Sequence, residues 1–141
     1  DMTIRLWDTE NYALKKTIQR NSIINCLDFV NNGRIMITGD ESGKIITWDT
    51  STWEIIDQRV ASSENSIVDI RFSHNQDKFA LISGDTIQLW DYPGMEKIDE
   101  IVVSTPLVHI SFSGDDRYIL LITNDLYYYN HMRGIIWQLN E

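Results

Sequence analysis

The chain has 141 residues, of which 43% are hydrophobic and 23% charged, and it contains no apolar run of the roughly 20 residues that a membrane-spanning helix needs. Twelve basic against 21 acidic residues give a formal net charge of −9, which argues against nucleic acid as a partner because phosphate-binding surfaces need a net basic face. The single cysteine, Cys26, excludes an internal disulfide and favours a reducing, intracellular compartment, which we expect to be the cytoplasm.

One short apolar element that ends in Trp-Asp recurs three times along the chain. It reads TIRLWDT at residues 3–9, KIITWDT at 44–50 and TIQLWDY at 86–92. The Trp-Asp pairs are Trp7-Asp8, Trp48-Asp49 and Trp90-Asp91, so consecutive tryptophans are 41 and 42 residues apart. Such a constant spacing indicates one structural unit used repeatedly.

Each repeat contains short stretches of alternating or continuous apolar residues bounded by turn residues, which predict β-strands. In chain order they are residues 3–7 and 12–18, then 22–29, 34–38, 44–48 and 53–60, then 66–72, 78–82, 86–90 and 96–103. The first repeat thus has only two of the four strands. No segment requires a helix.

A fourth repeat is predicted by aligning the residues that follow Phe72 with those that follow Phe112. This alignment puts Tyr129-Asn130 at the Trp-Asp position and Trp137 in the following strand. The predicted strands are 107–112, 118–123, 126–129 and 135–139. The chain then divides into a half unit, 1–20, and three full units, 21–63, 64–104 and 105–141.

These repeats resemble the WD-repeat family over essentially the whole chain. The resemblance rests on the Trp-Asp endings, on FSHNQDK at 72–78 and FSGDDR at 112–117, and on DMTIRLWD at 1–8, which is similar to the family's third-strand segment. It implies an all-β fold, a β-propeller of four-stranded antiparallel blades that is incomplete in this chain. Propellers close with about four to eight blades, so we expect further blades from the same polypeptide or, as an alternative, from a partner chain.

The chain departs from the family at a hydrogen-bonded network that commonly includes a His before the first strand and an Asp in the third-strand turn. The His positions hold Arg20, Ser63 and Val103. Asp1 matches the Asp position, but its counterparts in the next two repeats are Ser42 and Gly84. We therefore expect these blades to depend more on apolar packing.

The repeat residues are interpreted as structural. Trp7, Trp48, Trp90 and Tyr129 are expected in the core, each followed by its polar partner, Asp8, Asp49, Asp91 and Asn130. The three histidines lie in different contexts and none has a zinc-ligand spacing to Cys26. No nucleophile or phosphate-binding motif is present, so we expect no catalytic residue, metal or cofactor.

Six charged residues fall in loops that the family's topology places on one rim of a propeller. They are Arg20, Asp40, Glu41, Glu64, Asp85 and Asp125. Binding residues collect in loops mounted on a rigid scaffold, so one hypothesis makes this rim the partner-binding surface. The alternative is that these charges are solvated and serve only solubility.

Charge pairs are also predicted at the central channel, which the first strand of each blade lines. Equivalent positions in neighbouring blades would bring Asp28 opposite Arg71 and Asp69 opposite His109. We interpret both pairs as structural braces between blades.

For function, the resemblance implies a non-enzymatic protein–protein interaction scaffold with other proteins as partners. Two alternatives stay open: a structural subunit of a large fixed assembly of the cytoskeletal, ciliary or coat type, or a docking or sensing domain of a larger multidomain protein. The sequence does not identify the partner.

Overall fold

A computed structural model of the chain describes residues 2–103, 105–125 and 131–139; at 124, 125 and 131–133 it describes the backbone only. The described residues form thirteen β-strands and no helix. The strands make four antiparallel sheets with the orders β1-β2, β3-β4-β5-β6, β7-β8-β9-β10 and β11-β12-β13. The predicted all-β fold of incomplete propeller blades is thereby confirmed.

We number these sheets as blades 1 to 4. Blade 1 comprises β1 Thr3–Trp7 and β2 Leu14–Gln19, and blade 2 comprises β3 Ile24–Val30, β4 Ile35–Asp40, β5 Lys44–Asp49 and β6 Glu54–Val60. Blade 3 comprises β7 Ile67–Phe72, β8 Lys78–Ser83, β9 Thr86–Asp91 and β10 Lys97–Val102. Blade 4 comprises β11 Leu107–Phe112, β12 Tyr118–Asp125 and β13 His131–Gln138.

The two middle strands of blades 2 and 3 carry most of the core, because their apolar runs can be covered on both faces. Three apolar clusters join the blades in series. One joins blades 1 and 2 around Trp48, one joins blades 2 and 3 around Phe79, and one joins blades 3 and 4 around Ile110. The outermost strands β6 and β10 are largely exposed.

The Trp-Asp aspartates cap the turn that leads to the outermost strand. The Asp8 carboxylate accepts the backbone N–H groups of Glu10 and Asn11 at 2.8 and 3.1 Å. It also pairs with Lys15, and this ion pair followed by the turn hydrogen bonds lowers the pKa of Asp8. Asp49 and Asp91 cap their own turns in the same way.

Four residues after each of these aspartates the backbone enters the left-handed region. The residues are Tyr12, Trp53 and Met95, with φ of 58°, 62° and 57°. Each N–H bonds to the carbonyl oxygen of its aspartate, which closes the turn. The same geometry at three places confirms that the Trp-Asp element is one repeated structure.

The third strand of blade 4 differs from the prediction. Strand β12 pairs directly with β13, and Trp137 lies opposite Ile119, as Trp90 lies opposite Phe79. The N–H of Leu139 donates to the carbonyl oxygen of Arg117 at 2.9 Å, the bond that Tyr92 makes to Asp77 in blade 3.

Trp137-Gln138 therefore occupies the Trp-Asp position of blade 4. The assignment of Trp137 to an outer strand is wrong, because residues 135–138 pair with the second strand of the blade. Tyr129 and Asn130, with the strand predicted at 126–129, lie outside the described residues.

Candidate partner-binding rim

The loops that carry the predicted rim residues lie against one another. The N–H of Glu41 donates to the carbonyl oxygen of Ile23, and the N–H of Ala61 donates to that of Gly43, at 2.8 and 2.9 Å. Loop 61–66 also approaches the corresponding turn of blade 3, since a Cβ at Gly84 would lie 2.9 Å from Cγ of Asn65. Three consecutive loops are thus in contact.

Gly43 is required where two of these loops meet. Its φ of 76° lies in the left-handed region, and a Cβ there would collide with the carbonyl oxygen of Ser62. Glycine alone permits this approach. The two loops are held by their backbones, independently of the charged side chains beside them.

Three of the predicted acidic residues are exposed on these loops: Glu41, Glu64 and Asp85. We call these three residues the acidic rim. Asp85 accepts the hydroxyl of Thr86 at 3.2 Å, and within the described part of the chain no ion pair involves any of the three. The structure thus places three exposed acidic side chains on loops that contact one another.

Asp40 differs from the expectation for a rim charge. Only 3% of its surface is exposed, and its carboxylate accepts the backbone N–H groups of Ser42 and Lys44 and the hydroxyl of Ser42, at 2.9, 3.1 and 2.7 Å. A carboxylate with three such donors holds the turn. Asp40 is therefore part of the scaffold beneath the rim and is not available to a partner.

Arg20 and Asp125 also differ from Glu41, Glu64 and Asp85. The guanidinium carbon of Arg20 lies 5.0 Å from the ring centroid of Trp48, a cation–π contact at the position where the family commonly has histidine. Asp125 ends β12, and its side chain is not among those described.

Sequence reasoning missed the role of Gln88. Its amide oxygen accepts the indole N–H of Trp90 at 3.0 Å, and its amide nitrogen donates to the carbonyl oxygen of Ala61 at 3.1 Å. Gln88 therefore ties the core of blade 3 to loop 61–66. The only signal was a polar residue in the middle of an otherwise apolar strand.

At the channel, one of the two predicted side-chain pairs is present. The Asp69 carboxylate lies 2.7 Å from Nδ1 of His109 and accepts the backbone N–H of Ile110 at 3.1 Å. Both contacts cross from blade 3 to blade 4. The side chain of Asp69 is 7% exposed, so this is a sheltered brace.

The other predicted pair, Asp28 with Arg71, is wrong. The Arg71 guanidinium contacts Asp69 on its own strand at 3.2 Å and donates to the carbonyl oxygen of Ile70 at 2.9 Å. Asp28 instead accepts the backbone N–H of Phe72 at 2.8 Å. Residues two apart share one face of a strand, which favours the contact between Arg71 and Asp69.

The face opposite the acidic rim is braced by the turns between first and second strands. Gln76 accepts the N–H of Asn31 at 2.9 Å, and Asp116 accepts the N–H groups of His74 and Asn75, both at 2.8 Å. Burial opposes ionisation of Asp116, but the N–H donors outweigh it and lower its pKa. Adjacent blades are thus fixed at both faces.

Cys26 is expected to be chemically inert in the folded protein. Burial, assisted by the nearby Asp69 carboxylate, raises the pKa of the thiol from 9.0 to about 12. Because the thiolate is the reactive form, iodoacetamide should label the folded chain at least tenfold more slowly than the unfolded chain at the same pH. Mass spectrometry with and without denaturant measures this, and equal labelling rates would contradict it.

Neither a membrane span nor a metal cluster is found in the described parts of the chain. No helix there is long and apolar enough to cross a membrane. No group of three or more histidine, cysteine or acidic side chains is arranged to hold a metal ion.

The family model "WD domain, G-beta repeat" matches residues 13–49. The chain is 30% identical to the target of rapamycin complex subunit LST8 of Mus musculus over 97 residues, which are 67% of this chain and 29% of that protein. It is 30% identical to the p21-activated protein kinase-interacting protein 1-like of Xenopus laevis over 137 residues, 90% of this chain and 36% of that protein.

A further relative is the serine-threonine kinase receptor-associated protein of Dictyostelium discoideum. The identity is 25% over 122 residues, which are 85% of this chain and 41% of that protein. The chain thus spans about a third of the length of the curated relatives it matches.

Proposed function

Because the chain belongs to the WD-repeat family, we propose that it is a non-enzymatic protein-interaction scaffold whose acidic rim binds a basic segment of a partner protein. The observation that carries this proposal is the contact between the three loops that bear Glu41, Glu64 and Asp85. Exposed charges on a rigid frame attract an oppositely charged partner and fix its orientation.

The arrangement favours binding over solubility alone because the frame is built separately from the charges. Asp40 and Gly43 shape the turn, and Gln88 anchors loop 61–66. The loops are therefore held in place by residues other than Glu41, Glu64 and Asp85. The net charge of −9 adds a long-range attraction for basic partners.

The relatives support a protein as the partner. Their names describe a complex subunit, a kinase-interacting protein and a receptor-associated protein. The first of these also favours the second candidate function, a subunit of a fixed assembly. In that case the partner would be a permanent neighbour and not a segment that exchanges.

The test is reversal of the rim charges in the intact polypeptide. Glu41→Lys, Glu64→Lys and Asp85→Lys together should weaken binding of a short peptide of alternating lysine and valine by about tenfold or more at low salt. Fluorescence anisotropy measures the affinity. Thermal unfolding should be nearly unchanged, because exposed charges contribute little to stability.

The matched control reverses three exposed acids at the opposite ends of the blades, Glu10, Glu54 and Glu96. This variant has the same net charge as the rim variant but keeps the rim. It should retain most of the affinity. Equal losses in the two variants would show that total charge matters and that the rim is not the site.

A further inference from the structure

The hairpin between β12 and β13 is longer than its counterpart in blade 3. The pair Thr123↔Arg133 corresponds to Ser83↔Thr86, after which blade 3 turns. In blade 4 two more pairs follow, Asn124↔Met132 and Asp125↔His131. We call these two pairs the stem extension; at about 3.3 Å per residue it reaches about 7 Å further.

The stem extension lies on the same side of the blades as the acidic rim. In blades 2 and 3 the turn between the second and third strands carries Glu41 and Asp85, and the stem extension continues the equivalent turn of blade 4. It therefore stands beside the rim and rises above the level at which the other turns end.

The β12 edge of the stem extension has no strand neighbour among the described residues. Strand β11 begins to pair with β12 at Leu107↔Thr123, so Asn124 and Asp125 have a strand neighbour only in β13. In blade 3 the outermost strand ends its pairing at Thr86↔Val102, which is the level of Arg133, so an outer strand of that length would also leave residues 131 and 132 uncovered.

We infer that the stem extension is a docking edge, and that the basic segment of the partner binds to it as an additional β-strand. This inference rests on the proposed function. Unpaired N–H and C=O groups at a strand edge accept another chain by backbone hydrogen bonding. The neighbouring rim carboxylates select a segment with lysine or arginine side chains. The edge supplies the backbone contacts, and the rim supplies the charge preference.

The test removes the stem extension and keeps the connecting residues 126–130. Deletion of Asn124, Asp125, His131 and Met132 shortens both arms equally, so the register of the remaining β12 and β13 pairs is preserved. In the intact polypeptide this deletion should weaken binding of the lysine–valine peptide by about tenfold, the effect of losing one or two net hydrogen bonds.

A peptide of the same sequence with alternate backbone nitrogens methylated separates strand addition from charge. It should bind the unaltered protein about tenfold more weakly than the unmethylated peptide and bind the deletion variant equally well in both forms. This comparison keeps the proposal testable without relying on the deletion variant alone.

The outcomes distinguish the two proposals. Unchanged affinity in the deletion variant, or insensitivity of the unaltered protein to methylation, overturns strand addition. If rim reversal still weakens binding in that case, the acidic rim stands as the site without a docking edge. If rim reversal also has no effect, both proposals fall.

Discussion

Replacing Trp90 with alanine is expected to lower the free energy of unfolding by about 3–5 kcal/mol. Trp90 is 6% exposed and stacks on Phe79 with ring centroids 6.0 Å apart. Alanine would leave a cavity between blades 2 and 3 and free the amide oxygen of Gln88, which now accepts the indole N–H. Chemical denaturation of the intact polypeptide measures the loss.

Trp90→Phe is the matched control. It keeps an aromatic ring against Phe79 but removes the hydrogen bond to Gln88 and part of the buried indole, so we expect a smaller loss of about 1–3 kcal/mol. If Trp90→Ala costs less than about 1 kcal/mol, the residue is peripheral and the repeated tryptophan does not build the core.

The regular Trp-Asp spacing predicted a repeated unit, and the resemblance to the WD-repeat family then implied the fold, because one residue type occupies one structural position in each blade. The repeat pattern does not predict how deeply each tryptophan is buried, as the first Trp-Asp copy shows. Trp7 is 57% exposed, whereas Trp48 is 2% exposed, although both follow the same apolar pattern. A blade covers the tryptophan of the next one, so burial depends on a neighbouring sheet and not on the repeat itself.

The fourth repeat could not be placed correctly without the pairing of its strands. The sequence YYYN near residue 129 imitates the aromatic-polar ending at the expected distance, while the true equivalent, Trp137, lies 47 residues after Trp90. The number of residues in a hairpin is set by its turn and register. The apolar pattern of the strands does not indicate how many residues the hairpin contains.

At the candidate rim, the sequence identified which loops carry acids but not which carboxylate is exposed. Asp40 and Glu41 are adjacent, yet the first is buried in its turn and the second is exposed. The signal was Ser42, two residues after Asp40, because a short acidic side chain readily bonds to the backbone two residues on. Glu41 occupies the next position of the same turn, and its side chain is exposed.

At the channel, the sequence likewise identified the charged residues but not all of their partners. Asp69 and Arg71 lie two residues apart on one strand and pair with each other, which their spacing already allowed. The sequence-based pairing matched residues only between neighbouring blades, and it therefore gave Arg71 to Asp28. Asp28 meets a backbone N–H instead.

Replacing Asp69 with alanine is expected to cost about 2–3 kcal/mol of stability, because it leaves the buried N–H groups of Ile70 and Ile110 without their acceptor. The side chains of Arg71 and His109 are 36% and 45% exposed, so water can solvate them and the loss of their contacts adds little. The Asp69 carboxylate lies 3.2 Å from the guanidinium of Arg71 and 2.7 Å from Nδ1 of His109. It also accepts the N–H groups of Ile70 and Ile110. The change would remove all four contacts together, and chemical denaturation of the intact polypeptide measures the cost.

Asp28→Ala provides the comparison that isolates the role of charge at the channel. Asp28 accepts the N–H groups of Phe29 and Phe72 and forms no ion pair with Arg71, so its loss should cost only about 1–2 kcal/mol. Asp69→Asn keeps an acceptor oxygen without the charge and should fall between the two. Should Asp69→Ala prove no more harmful than Asp28→Ala, the contacts of Asp69 with Arg71 and His109 contribute nothing to stability, and the seam between blades 3 and 4 is held by apolar packing and by the other hydrogen bonds between the blades, such as those of Asp116.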